Sequence, residues 1–164
     1  MTTRLPASDG VELAVYERGD PARPTIVAVH GYPDDHAVWD GVADLLADRF
    51  HVVTYDVRGA GASGRPASTA GYRIAQLVDD LAVVLDAVGP EAPVHLLGHD
   101  WGSVQCWAAL PDARLAGRIA TYTSISGPAL DYAAVWLRGL RDHPRAGLRQ
   151  VAHSGMTLWL VATR

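Results

Sequence analysis

Gly98-His99-Asp100-Trp101-Gly102 follows directly on the apolar run Val94-His95-Leu96-Leu97. Two glycines four positions apart, between a strand-like run and the helix-forming stretch from Ser103 to Leu110, require a sharp strand-to-helix turn. In such a turn the helix backbone crowds the strand, and side chains at the outer positions would clash. The spacing is that of a nucleophile elbow, G-x-S-x-G, with Asp100 where a serine usually stands. A serine at the tip points to ester chemistry. A carboxylate there points to attack on an electrophilic sp³ carbon, through a covalent ester to the protein.

The segments around this turn alternate in type. Val11 to Arg18 mixes apolar and polar residues up to Gly19-Asp20-Pro21, the pattern of a half-exposed strand. Thr25 to Val29 is a continuous, largely β-branched run, as a buried central strand would be, and it breaks at His30-Gly31-Tyr32-Pro33. Val38, Val42, Leu45 and Leu46 have helical spacing. His51 to Val57 reads as a second buried strand, followed by Arg58-Gly59-Ala60-Gly61-Ala62-Ser63-Gly64. Ile74, Leu77, Val78, Leu81, Leu85 and Val88 form one face of a helix closed by Gly89-Pro90. Ile119 to Ser126 is a further strand that ends at Gly127-Pro128. Strands alternating with helices imply the α/β class, with a mostly parallel sheet flanked by helices.

After Pro128 the strand pattern stops. Trp136, Leu137, Leu140, Leu148, Val151, Met156 and Trp159 look helical, interrupted by Pro144 and several glycines. Residues 1–128 are therefore expected to form one core, and residues 129–164 the opening of an inserted helical subdomain.

Composition excludes several classes. A net charge of −4 gives no basic surface for nucleic acid. The first ten residues have no apolar signal-peptide core, and the longest apolar runs fall far short of a membrane span. Cys106 is the one cysteine, so no disulfide framework exists; it is expected as a small buried apolar residue, and a reducing, cytoplasmic compartment fits.

Three segments at strand ends carry the chemistry: His30-Gly31-Tyr32-Pro33, Asp56-Val57-Arg58-Gly59-Ala60-Gly61-Ala62-Ser63, and the Asp100 turn. In a parallel sheet these ends share one edge, where ligands bind. Together and in this order they resemble the α/β-hydrolase family, over roughly residues 10–128. The resemblance is to its aspartate-nucleophile branch of epoxide hydrolases and haloalkane dehalogenases. It implies the N-terminal part of that fold, with the start of a helical cap.

The resemblance also implies roles. Asp100 is the nucleophile, and the backbone N–H groups of Tyr32 and Trp101 form an oxyanion hole. That hole serves mainly the second step, when water attacks the ester on Asp100. Trp101, Tyr32 and His30 would meet the substrate, a small epoxide or other apolar electrophile. No cofactor and no metal is implied. Haloalkane dehalogenases often carry asparagine where this chain has Tyr32, and fluoroacetate dehalogenases usually carry arginine where it has Trp101. The wording here is closer to epoxide hydrolases. Tyr55-Asp56-Val57-Arg58-Gly59-Ala60-Gly61 and Ser124-Ile125-Ser126-Gly127-Pro128 also look like the hydrolase half of certain actinobacterial proteins, in which a short-chain dehydrogenase follows.

Other readings compete. Gly59 to Gly64 fits G-x-G-x-x-G, so a dinucleotide-binding domain is the rival from another class. Arg65-Pro66 follows at once, however, and no helix opens there to face a pyrophosphate. A metal held by His95, His99 and Asp100 is disfavoured, because alternation along a strand does not converge. His95 is expected in the core, His99 in packing, His30 in loop hydrogen bonds and Arg58 as a loop tether. Ser103 belongs on the first helical turn, which makes it a poor nucleophile.

The family mechanism also needs an acid and a late general-base histidine, and Arg164 is reached before the place for that histidine. His143 and His153 match no histidine motif, Asp131 is a weak candidate for the acid, and Tyr122 and Tyr132 match the cap tyrosines poorly. As given, the chain is expected to be inactive or limited to a single turnover. A haloalkane dehalogenase-like enzyme and a non-catalytic ligand- or partner-binding remnant are the alternatives. A half-sheet would also expose an apolar edge, suited to a homodimer or other association.

Overall fold

A computed structural model describes residues 2–89 and 92–139. The chain divides into two compact units, residues 1–129 and 130–164. In the first unit β1 (Thr2–Pro6), β2 (Glu12–Arg18), β3 (Thr25–Val29), β4 (His51–Tyr55), β5 (Val94–His99) and β6 (Ile119–Ile125) form one sheet in the order β1-β2-β4-β3-β5-β6. The pairs β3–β4, β3–β5 and β5–β6 are parallel, and β1–β2 and β2–β4 are antiparallel. Among the described residues three α-helices belong to this unit: α1 (Asp40–Leu46), α2 (Ile74–Val88) and α3 (Trp101–Ala109). The mostly parallel, helix-flanked sheet is the one expected. β1 had no signal of its own in the sequence.

Alternation along the strands divides the sheet's two faces. Val27, Val29, Val53, Tyr55, Val94 and Leu96 turn toward α2 and α3 and join Val78, Leu81, Val84, Leu85, Cys106 and Ala109 in one buried cluster. Each fully buried Leu or Val there contributes about 1.5–3 kcal/mol. Val52 and Thr54 face the other way, toward Ala43 of α1. His95 shares that second face. It is half-buried, with Nδ1 2.8 Å from the Thr121 hydroxyl, so the expectation that it lies in the core is corrected. Its neighbours Val94 and Leu96 take the core positions instead.

Register places the site. Val29 pairs with Tyr55 on one side and with Gly98 on the other. The loops after β3, β4 and β5 therefore leave the sheet side by side. β4 ends at Tyr55, two residues earlier than the sequence suggests, and α3 begins at Trp101, two residues earlier.

The second unit, described over α4 (Leu130–Gly139), carries Asp131 in its first turn and Arg138 in its last, each sign at the favourable end of the helix dipole. His143, His153 and Trp159 lie outside the described residues.

Candidate active site

Asp100 stands between β5 and α3 with φ 52° and ψ −122°, a conformation that costs a non-glycine residue about 1–3 kcal/mol. Neighbours over-determine it. The Asp100 N–H donates to Ile125 O at 2.9 Å, and its carbonyl accepts the Val104 N–H at 3.1 Å. A Cβ on Gly98 would come 2.8 Å from Ser103 Cα, and one on Gly102 would strike the carbonyl oxygens of Val29 and His30. Both outer glycines are thus required by close backbone approach.

Ser103, fully buried on the first turn of α3, clamps the turn from below. Its Oγ lies 2.7 Å from the Tyr122 hydroxyl and 2.6 Å from the Ser124 hydroxyl, and it donates to Gly127 O at 2.9 Å. The Tyr122 hydroxyl also reaches Ser103 O at 2.9 Å. This ties α3 to the end of β6, and it leaves Ser103 engaged rather than free to attack.

Across the turn, the Tyr32 N–H donates to Asp100 Oδ1 at 3.1 Å. Gly31 makes this approach possible, since a Cβ there would come 2.9 Å from Asp100 Cγ. The Trp101 N–H sits at the first position of α3, where the helix supplies no acceptor. The Tyr32 and Trp101 side chains stand 80% and 58% exposed beside the carboxylate.

The loops that carry these groups are tied together from within. His30 is buried; its Nε2 accepts the Val57 N–H at 2.9 Å, so Nδ1 carries the proton and donates to Gly31 O at 2.8 Å. It lines the cavity, but both ring nitrogens serve the loops. Asp56 is a hub that the sequence motif contained without a role assigned to it. Its Oδ1 accepts the His36 N–H and the His36 Nδ1–H, and its Oδ2 accepts the Ala62 N–H and the Tyr16 hydroxyl. Burial alone would raise this carboxyl, but the N–H donors of Ala62 and His36 outweigh it and hold the group below its usual range. Gly61, at φ +46°, leaves no room for a side chain beside that carboxylate. Asp35, His36 and Asp56 are close enough to hold a cation, although the Asp56 oxygens already take four donors.

Arg58 tethers loops, as expected. Its buried guanidinium grips Asp80 through two bonds of 2.6 Å, reaches Asp9 at 2.7 Å and donates to Gly71 O at 2.9 Å. Burial opposes its charge, and the Asp80 and Asp9 carboxylates outweigh that and keep it protonated. In the glycine-rich loop the N–H groups of Gly59, Ala60, Ser63 and Gly64 all go to backbone carbonyls. No helix opens at Gly64, and the next long one starts at Ile74. The loop is built to hold Asp56 and does not fit a pyrophosphate.

A cavity of about 580 Å³ opens at this edge. Tyr32, Tyr72 and Trp101 form its exposed walls, and His30, Arg58 and Gln105 are its buried liners. His99 packs edge-on against Trp39, with 6.3 Å between ring centres. Cys106 is buried, and burial pushes its thiol well up. Gln105 carried no sequence signal, since one polar letter in an apolar helix has no motif. Among the described residues no histidine is hydrogen-bonded to Asp100.

Residues 24–155 match the model of the alpha/beta hydrolase fold family. Among curated proteins, the chain is 43% identical over 157 residues to "Probable oxidoreductase EphD" of Mycobacterium tuberculosis, covering 94% of this chain and 26% of that protein. It is 41% identical over 135 residues to "Epoxide hydrolase A" of the same organism, covering 82% of this chain and 41% of that one. Among solved structures, epoxide hydrolase VrEH1 from Vigna radiata superposes with a TM-score of 0.69 at 26% identity, covering 76% of this chain and 39% of that structure. The chain thus spans 26–41% of the length of these two curated relatives. Among the described residues no helix is long and apolar enough to cross a membrane.

Proposed function

The chain belongs to the alpha/beta hydrolase fold family, and from that footing we propose that it carries the nucleophile half of an epoxide-hydrolase active site. The observation that carries this reading is the strained Asp100 with the Tyr32 N–H on its Oδ1. The bond occupies one carboxylate oxygen and leaves Oδ2 to attack. Oδ2 bonds to an epoxide carbon, the ring C–O bond breaks, and the ring oxygen takes a proton from solvent water to become a hydroxyl. The product is a β-hydroxyalkyl ester on Asp100.

In that ester Oδ1 is the carbonyl oxygen, already held by the Tyr32 N–H. When water adds to Cγ, negative charge develops on Oδ1, and the Tyr32 and Trp101 N–H groups stabilise it. Collapse releases a vicinal diol and restores the carboxylate. This second step needs a base to activate water, which the described residues around Asp100 do not provide. With only the described residues to act on it, the ester is expected to accumulate.

Exposed aromatic walls suit an apolar small molecule, with Tyr32 and Trp101 as its contacts and the buried His30 supporting them. Residues 129–164 are read as the opening of a cap, and the compartment as cytoplasmic. β6 pairs on one side only among the described residues, and Ile119–Ile125 holds no charge and no proline. Its free edge suits strand pairing with a second copy, which sedimentation would report as a dimer.

Offering the chain styrene oxide and a chloroalkane of similar size separates the two branches. Labelling by the epoxide alone supports the reading. Chloride release with alkyl labelling would instead place the chain with haloalkane dehalogenases.

A further inference from the structure

We infer that Gln105 is a substrate-recognition residue on the floor of the cavity, where its Oε1 accepts a hydrogen bond from a donor group carried by the epoxide. Gln105 is 1% exposed and lines the cavity. Its Nε2 donates to the Tyr55 hydroxyl at 2.7 Å and to Leu77 O at 2.8 Å. The Leu77 carbonyl can only accept, so the amide orientation is fixed and both N–H groups are engaged. Oε1 receives no hydrogen bond from any described residue.

The other buried polar side chains that line the cavity, His30 and Arg58, are already engaged. Both His30 ring nitrogens hold loop backbone, and the Arg58 guanidinium is occupied by Asp9, Asp80 and Gly71. Gln105 Oε1 is the side-chain polar atom left without a partner among these buried liners, and a lone acceptor in a cavity wall discriminates for a ligand with a matching donor.

Position sets the reach. Gln105 follows Trp101 by one helical turn, so both lie on the same face of α3. Four residues of helix rise about 6 Å, the span of a chain of about five bonds. The recognised class is an epoxide with a hydroxyl or amide N–H about five bonds from the oxirane. This rests on the reading that Asp100 is the nucleophile, beside Gly31, Tyr32 and Trp101, which line the same cavity.

The test compares an epoxyhexanol, its hydroxyl about five bonds from the ring, with the epoxyheptane that carries methyl there. Ester formation is measured on the full chain at low epoxide concentration. Equilibrium binding of the same pair is measured by NMR titration of an Asp100→Asn chain, which needs no reaction. The hydroxy-epoxide is expected to be favoured about tenfold in both, the factor of one hydrogen bond. Adding Gln105→Met should remove the preference.

Equal behaviour of the two epoxides on the chain with Gln105 intact overturns the inference, whether or not Gln105→Met folds. A preference that survives Gln105→Met overturns it too. Preferential binding without any ester on Asp100 would keep the Gln105 assignment and remove the Asp100 reading. Ester formation at equal rates would do the reverse.

Discussion

The main-chain N–H of Tyr32 and the Oδ1 of Asp100 are 3.1 Å apart, although 68 residues separate them in sequence. The contact exists because Val29 and Gly98 are register partners, so the loops after β3 and β5 begin together. Gly31 keeps the space between them open. Gly31→Ala would press a methyl group onto the carboxylate. Ester formation should slow by about a hundredfold, the scale expected for a reacting group displaced by about an ångström. Intact-protein mass measured over time after epoxide addition gives the rate.

Ser103→Ala removes a buried hydroxyl shared by Tyr122, Ser124 and Gly127. The loss should be about 1–3 kcal/mol of unfolding free energy, read by urea titration. Amide hydrogen exchange should quicken at Asp100 and Val104, whose N–H groups close the turn. Exchange at Leu81 and Leu85 in α2 should be unchanged.

Arg58→Met leaves the Asp80 carboxylate buried without its cation. Breaking such a pair from one side costs about 3–5 kcal/mol, against about 0–1 kcal/mol for an exposed pair such as Arg49–Asp48. Urea midpoints of the two single variants, Arg58→Met and Arg49→Met, should differ accordingly.

Acid should unfold the protein partly through Asp56 and Asp9. Burial opposes the Asp56 charge but is outweighed by the donors from Ala62 and His36, and the Arg58 hydrogen bond lowers Asp9. Both folded carboxyls therefore titrate below their unfolded counterparts. The unfolded chain binds protons first as pH falls below about 4, and the stabilisation present above that pH is lost through the folded pKa values. Melting temperatures measured from neutral pH downward should drop steeply in that window. Asp56→Asn should start lower and fall less.

The strands nearest the site were legible because they are continuous apolar runs. Thr25–Val29 and Val94–Leu97 need no partner information to be recognised, and Gly98 and Gly102 announce a crowded turn. β1 was not legible, since five residues with Arg4 and Pro6 become a strand only by pairing with β2. The partners of Arg58 were hidden for a related reason: Asp9 and Asp80 lie 49 and 22 residues away. Asp56 left a trace, because Gly61 is needed where a side chain would meet its carboxylate. His95 was expected in the core, but burial alternates along Val94–His99 and His95 takes a half-buried position. Register with β6 turns His95 toward Thr121 and away from α2 and α3.

The central claim is that Asp100 is the nucleophile. Incubating the chain and its Asp100→Asn variant with the same reactive epoxide, then weighing both intact proteins and locating any label by peptide fragmentation, tests it directly. The account predicts one adduct of epoxide mass on Asp100 and none on the variant. Equal labelling of the two proteins, or a label elsewhere with Asp100 untouched, would contradict it.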